Sequence, residues 1–258
     1  MLTVGDFGIC NVSVAPVRAA ASDASEMVTQ LLFGDYVKII EKGEPWIKIR
    51  FERDDYEGYM DFKQLTYVDQ QLYDAGVSVR HKVLFEPILE LEGPRGIQNI
   101  MMGSDLPFYK DGKVRLGHEL YTVLAPVDMQ FKADIIETAE IYINSPYLWG
   151  GKSIFGIDCS GLVQLVFKVC GADLPRDASK QVHAGTEVSF HERQKGDLAY
   201  FINDAGKVHH VGIIAGQHEI IHAAGRVRKD RLDEEGIFNF DLEKKTHKLH
   251  SIKRISIG

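Results

Sequence analysis

The chain has 258 residues, 45% hydrophobic and 26% charged, an ordinary globular mixture with room for one large domain or two to three small ones. A net charge of −7 with no long Lys/Arg run argues against a nucleic-acid partner. The longest apolar runs, such as "ILELEG" and "VGIIAG", fall far short of the roughly 20 residues a membrane span needs.

No basic segment precedes an apolar stretch near the start, so no signal peptide is read. Residues 8 to 70 read as β. "CNVSVAPVRA" alternates apolar and polar positions, and "YVKIIEKGEPWIKIRF" gives two such runs broken by a "KGEP" hairpin signal. "DDYEGYMDFKQL" closes this unit, and its short strands predict a small barrel. Residues 75 to 127 repeat the pattern around "EGPRG", "MGSD" and "KDGK", which predicts a second small β unit.

After Pro126 the character changes. Ile135, Ile136, Ala139 and Ile143 lie at helical spacing, with Asp134 and Glu137 in the first turn. The Gly-rich "YLWGGKSIFGIDCSG" leads into a second predicted helix, "SGLVQLVFKVCG", with Asp158 and Ser160 at its start and Gly171 at its end as caps. "GDLAYFI", "HHVGIIAG", "EIIHAAG" and "KLHSIKRISIG" then read as extended. Helices followed by an antiparallel sheet predict an α+β domain.

Of three cysteines in no zinc spacing, Cys10 and Cys170 read as small buried hydrophobes, and a reducing compartment follows. Cys159 differs. At the first turn of a helix, unpaired N–H groups and the dipole favour thiolate, the nucleophilic form. Such a nucleophile needs a base. His210 and His222 lie in apolar strand-like runs that two neighbouring antiparallel strands would bring side by side, one taking the thiol proton and the other orienting it. His209 competes with His210, because the two point to opposite faces and alternation alone does not choose.

"YLWGGKSIFGIDCSGLVQLVF", "LPRDASKQ", "GDLAYF", "HVGIIAG" and "IIHAAG", in this order over roughly residues 130–257, resemble the NlpC-type papain-like cysteine peptidases of bacterial cell-wall metabolism. The resemblance implies Cys159 as nucleophile, His210 as base and His222 as the polar third member, with Tyr147, Asp158 and Ser160 lining the cleft. It implies no metal and no cofactor. "SEMVTQLLFGDYVKII…WIKIRF…YEGYM" is similar to the bacterial SH3-like domains that precede the catalytic domain in members acting on small released murein peptides, with Tyr59 where Trp is usual. That likeness implies that the first SH3-like domain closes one end of the cleft. Glu26, Tyr56 and Asp177 would then hold the substrate's free amino terminus, Tyr59 being the competing tyrosine. Carboxylates suit an ammonium leaving water, so Asp158 is expected to join them, with Arg176 orienting Asp177 or meeting a substrate carboxylate.

The expectation is two small SH3-like β barrels at 1–72 and 73–128, followed by a papain-like α+β domain at 129–258 with a central antiparallel sheet. The expected activity is hydrolysis of the γ-D-Glu–diamino acid bond (Lys or diaminopimelate) in murein tripeptides or tetrapeptides with free N-terminal L-Ala, by a cytoplasmic monomer in wall-peptide recycling. The alternatives are an amidase or acyltransferase on the same scaffold, or a wall-binding module without catalysis.

Overall fold

The computed structural model describes residues 6–127 and 133–257, and the chain divides into two compact units, Met1–Phe131 and Lys132–Gly258. The expected boundary at 128/129 lies outside the described residues.

The described residues of the first unit are mostly β, with one α-helix and a short 3-10 turn at Phe62–Gln64. β1 (Phe7–Cys10), β2 (Val14–Arg18), β3 (Met27–Leu32), β4 (Tyr36–Glu41), β5 (Trp46–Phe51), β6 (Glu57–Asp61) and β7 (Leu65–Val68) form one sheet, in the order β3-β2-β6-β5-β4-β1-β7. Alternation explains it: Ile47, Ile49 and Phe51 of β5 enter a core with Val17, Leu31, Val37, Ile39, Met60 and Cys10. The intervening Lys48 and Arg50 pair with Glu57 across the sheet. Helix α1 (Gln70–Val77) follows, its first turn capped by Asp69, whose carboxylate accepts from the Leu72 amide at 2.8 Å. This helix was not anticipated.

The remaining strands of the unit are β8 (Lys82–Val83), β9 (Ile88–Gly93), β10 (Gly96–Met101), β11 (Asp105–Leu106), β12 (Lys113–Leu116) and β13 (Glu119–Val123). Four of them order as β10-β9-β13-β12, and β8 pairs with β11. The two β segments read from sequence thus build separate sheets. A second core draws on both, packing Ile9, Phe33, Tyr36 and Tyr73 with Leu89, Leu91, Ile100, Val114 and Tyr121.

In the second unit, α2 (Ile135–Ile141) is capped by Asp134, which accepts from Ile136 and Glu137 amides. A short hairpin, β14 (Lys152–Ser153) and β15 (Gly156–Ile157), leads directly into α3 (Cys159–Val169). The short helix α4 (Ala178–Gln181) precedes β16 (Thr186–Val188), β17 (Leu198–Ile202), β18 (Val208–Gly216), β19 (Glu219–Ala224), β20 (Arg226–Asp233), β21 (Gly236–Asn239) and β22 (Lys244–Arg254). All seven form one antiparallel sheet, β16-β22-β17-β18-β19-β20-β21, and an additional β21–β22 pairing closes six strands into a barrel. Ala199, Phe201, Ile214, Ile220, Leu232, Ile237 and Ile252 share a core. Helix α3, buried along its length, packs on β18 and β19 and against α2 and α4. Cys10 and Cys170 are buried thiols outside any disulfide.

Candidate active site

Cys159 is the first residue of α3, and Asp158 is the cap before it. The Asp158 carboxylate accepts from the amides of Gly161 at 2.7 Å and Gly150 at 2.8 Å, and from the Ser160 hydroxyl at 3.3 Å. Both terminal nitrogens of Arg176 fork onto it, at 2.9 and 2.5 Å, and one also donates to Ser160 Oγ at 2.9 Å. Asp158 is 5% exposed and Arg176 2%. The carboxylate's acceptor sites are therefore filled by the protein. Asp158 thereby fixes the strand-to-helix turn that presents the thiol. Arg176 is the buried ionic partner of Asp158. The helix start is also tied to α4, where Gln181 Nε2 donates to Ser160 O at 3.0 Å. Asp177 is the residue before α4, makes no cap bond, and lies 3.9 Å from Lys180 Nζ. Gly161 permits this tight turn: a Cβ there would sit 2.5 Å from the Gly151 carbonyl oxygen.

The thiol departs from expectation. Burial pushes Cys159 up to about 12, helped by the Asp158 charge, although backbone hydrogen bonds from Val211 and Ser160 and the Arg176 cation act the other way. Desolvation outweighs the helix dipole, so the resting sulfur is protonated. Its hydrogen bond from Val211 places it beside His210. Tyr147 is near enough for Cys159 and Asp158, together with burial, to push its phenol up to about 12.

His210 and His222 meet as the two-strand arrangement requires. In β18–β19 pairing Gly212 lies opposite His222, so His210 is its diagonal neighbour on the same face. His210 Nε2 and His222 Nδ1 are 2.9 Å apart with the rings nearly perpendicular. Gly212 makes room for this, because a Cβ there would come within 2.9 Å of His222 Cβ. His209 is exposed, whereas His210 is buried against His222.

Two further residues were missed from sequence. Asp230 on β20 continues the diagonal: its Oδ2 lies 3.1 Å from His222 Nε2, and Arg228 pairs with it at 2.8 Å. Burial works to raise the Asp230 carboxyl, but hydrogen bonds from His222, Arg228 and the Phe240 amide hold it below its ordinary value. The available signal was period two in "RVRKDRLD", which puts Arg228 and Asp230 on the face of Leu232. His247, on β22, packs its ring 4.2 Å from that of His210. Burial first, then the neighbouring His222, His247 and His209, hold His210 well below its usual value, so it is neutral.

The proton positions follow. An ionised carboxylate only accepts, so His222 Nε2 carries its proton toward Asp230 and Nδ1 is bare. His210 Nε2 must then donate to His222, leaving His210 Nδ1 free to accept. A neutral base with a bare nitrogen, oriented by a second ring beside a thiol, is the arrangement required for cysteine-based acyl transfer.

The other expected site residues lie in the first unit. Glu26 is exposed and immediately precedes β3, its carbonyl accepting from the Ala19 amide at 2.9 Å. Tyr56 packs against the core of the first sheet, while the Tyr59 hydroxyl donates to Glu41 at 3.2 Å.

Residues 144–244 match the NlpC/P60 family, and residues 17–65 match the bacterial dipeptidyl-peptidase Sh3 domain. Dipeptidyl-peptidase 6 of Lysinibacillus sphaericus is 37% identical over 244 residues, covering 82% of this chain and 86% of that protein. The chain belongs to the NlpC/P60 family. A second relative, the gamma-D-glutamyl-L-lysine dipeptidyl-peptidase of Bacillus cereus, is 30% identical over 241 residues, covering 78% of this chain and 68% of its own. The solved structure of an NlpC/P60 family protein from Bacillus cereus shares the fold, with a TM-score of 0.78 at 22% identity over 96% of this chain and 99% of that one. As an NlpC/P60 protein with an N-terminal SH3-like β region, the chain is a bacterial cysteine peptidase with the expected α+β architecture.

Proposed function

We propose that this NlpC/P60 peptidase hydrolyses the γ-D-Glu–diamino acid bond of murein peptides and prefers a free N-terminal L-Ala. The Cys159–His210–His222 arrangement carries the chemistry, above all the 2.9 Å contact between the two rings beside the buried thiol. The names of the relatives, which specify a γ-D-glutamyl-L-lysine bond and a dipeptidyl product, support the substrate.

Sγ of Cys159 attacks the γ-carbonyl carbon of D-Glu as His210 Nδ1 takes the thiol proton. With the resting thiol protonated, proton transfer accompanies attack instead of preceding it. The Cys159 amide at the helix start has no intrahelical partner and is directed at the developing oxyanion. Collapse breaks the C–N bond, and the diamino acid's nitrogen leaves with the proton from His210. Water, deprotonated by His210, then cleaves the thioester and releases L-Ala-D-Glu. Glu26, Tyr56 and Asp177 are the groups assigned to the free ammonium. A preference for short released peptides suits recycling within the cell.

Incubation with L-Ala-γ-D-Glu-L-Lys and its diaminopimelate equivalent, with analysis for L-Ala-D-Glu, tests the reading. Wild type is expected to release the dipeptide and Cys159→Ala to release none. Equal behaviour of the two proteins overturns the assignment. A product cut elsewhere, or transferred to an acceptor amine, would instead indicate amidase or acyltransferase chemistry.

A further inference from the structure

Two imidazoles suffice for the relay just described, yet a third joins them. His210 of β18, His222 of β19 and His247 of β22 each offer a ring nitrogen, and these three atoms lie within 4.8 Å of one another. Among the described residues this is the one group of three such side chains that converges on a point. We propose that the three histidines form a binding site for a divalent transition ion of the Zn2+ class, and that its occupation switches the peptidase off.

One of the three separations is already near what such an ion requires, and the whole set lies within 4.8 Å. Two nitrogens on a tetrahedral zinc, each about 2.0–2.1 Å from it, are separated by about 3.4 Å. His210 Nε2 and His222 Nδ1 stand at 2.9 Å, so opening by about half an ångström admits the ion. The third ring is within reach, its centroid 4.2 Å from that of His210 and 5.6 Å from that of His222. Nδ1 of His247 is engaged with Thr246 Oγ1 at 2.8 Å, which leaves Nε2 as its ligand atom. The outer shell is in place as well. Asp230 holds the far nitrogen of His222 and is itself held by Arg228, the carboxylate–histidine support that orients metal ligands. Three imidazoles plus one water make a four-coordinate site of the kind zinc accepts.

Inhibition follows from proton placement, and this half of the proposal rests on His210 being the catalytic base. In the relay, His210 carries its proton on Nε2 and keeps Nδ1 bare. An ion on Nε2 requires that nitrogen bare, so the single ring proton moves to Nδ1. No proton is gained or lost overall. The nitrogen that must accept the thiol proton is now protonated, and His210 is fixed to the metal.

The binding half is tested without activity. The full-length Cys159→Ala protein, which lacks the thiol, is titrated with Co2+ as a coloured stand-in for Zn2+. The expected result is one equivalent bound, with visible bands of a four-coordinate nitrogen site and displacement by Zn2+. Adding His247→Gln in the same background is expected to weaken binding at least about tenfold. Equal affinity with and without His247, or no binding by Cys159→Ala, overturns the site. X-ray absorption of the Co2+-loaded Cys159→Ala protein gives a second readout should the His247 variant misfold: three imidazoles support the site, and fewer than three overturn it. For inhibition, ZnCl2 is expected to suppress wild-type turnover and a chelator to restore it. Undiminished turnover at metal concentrations that saturate the Co2+-defined site overturns the switch. If no murein peptide is cleaved at all, the proposed function fails while the titration still decides the site.

Discussion

A neutral imidazole carries one proton on either of two nitrogens, and here Asp230 selects which for two rings in succession. Asp230→Asn is expected to break this, because an amide nitrogen turned toward His222 donates where the carboxylate accepted. The expected loss in kcat is about 10²–10⁴-fold with KM little changed, measured on the tripeptide. A loss confined to KM would assign Asp230 to binding. The depressed His210 predicts the acid side of the pH profile. A base that is bare at neutral pH stays bare as pH falls, so the acid limb of kcat/KM is expected below the ordinary imidazole value of about 6.5. Cys159, pushed up to about 12, gives the opposite edge: alkylation of the free enzyme by iodoacetamide should still be rising steeply at about pH 10.5, where a thiol of ordinary pKa, about 8.5, has levelled. A plateau near neutrality would show a preformed ion pair. Cys159 was singled out by its place at a helix start and His222 by its strand-like run, whereas the choice of His210 over His209 came from the family resemblance, alternation having left it open. The thiol's protonation was not legible, since desolvation depends on what packs over the sulfur. Asp230 and His247 were not because their partners lie across the sheet on other strands.

At the scale of elements, the site depends on how α3 begins. Asp158 serves as helix cap, as anchor for the Gly150 amide and as counter-ion to Arg176, all without leaving the interior. Arg176→Met removes the cation and leaves a buried carboxylate unpaired, which is expected to destabilise the protein by about 3–5 kcal/mol. Urea unfolding of the Cys159→Ala and Cys159→Ala/Arg176→Met proteins measures this apart from catalysis, and an unchanged midpoint would show that Asp158 is satisfied without Arg176. The helix cap was readable from "IDCSG", and the strands from their alternation. The elements not read include the short helices α1 and α4, whose eight and four residues carry too little periodicity to stand out between strands, and the strands β16, β20 and β21. Arg176 was expected to orient Asp177 or meet a substrate carboxylate, and its pairing with Asp158 was not foreseen. Its burial to 2% is a property of packing that the local sequence does not encode.

For the molecule as a whole, Cys159 and Glu26 belong to different compact units. Glu26→Gln is expected to raise KM for L-Ala-γ-D-Glu-L-Lys while leaving the already poor cleavage of its N-acetylated form unchanged. An equal effect on both peptides would remove Glu26 from amine recognition. The order of the domains was visible in the sequence, but the core shared by Tyr73 with Leu89, Leu91 and Tyr121 was not, because it joins segments that each read as self-contained. The pairing of β22 with β16, β17 and β21 has a consequence for folding. Lys248 lies opposite Ile202 in the ladder although dozens of residues separate them along the chain. Such non-local pairing makes closure a late and slow event. A chain interrupted before Lys244 still encodes Cys159, His210 and His222, yet leaves β16, β17 and β21 with open hydrogen-bonding edges. Its expected fate is association with other unfinished chains through those edges before any peptide is cut.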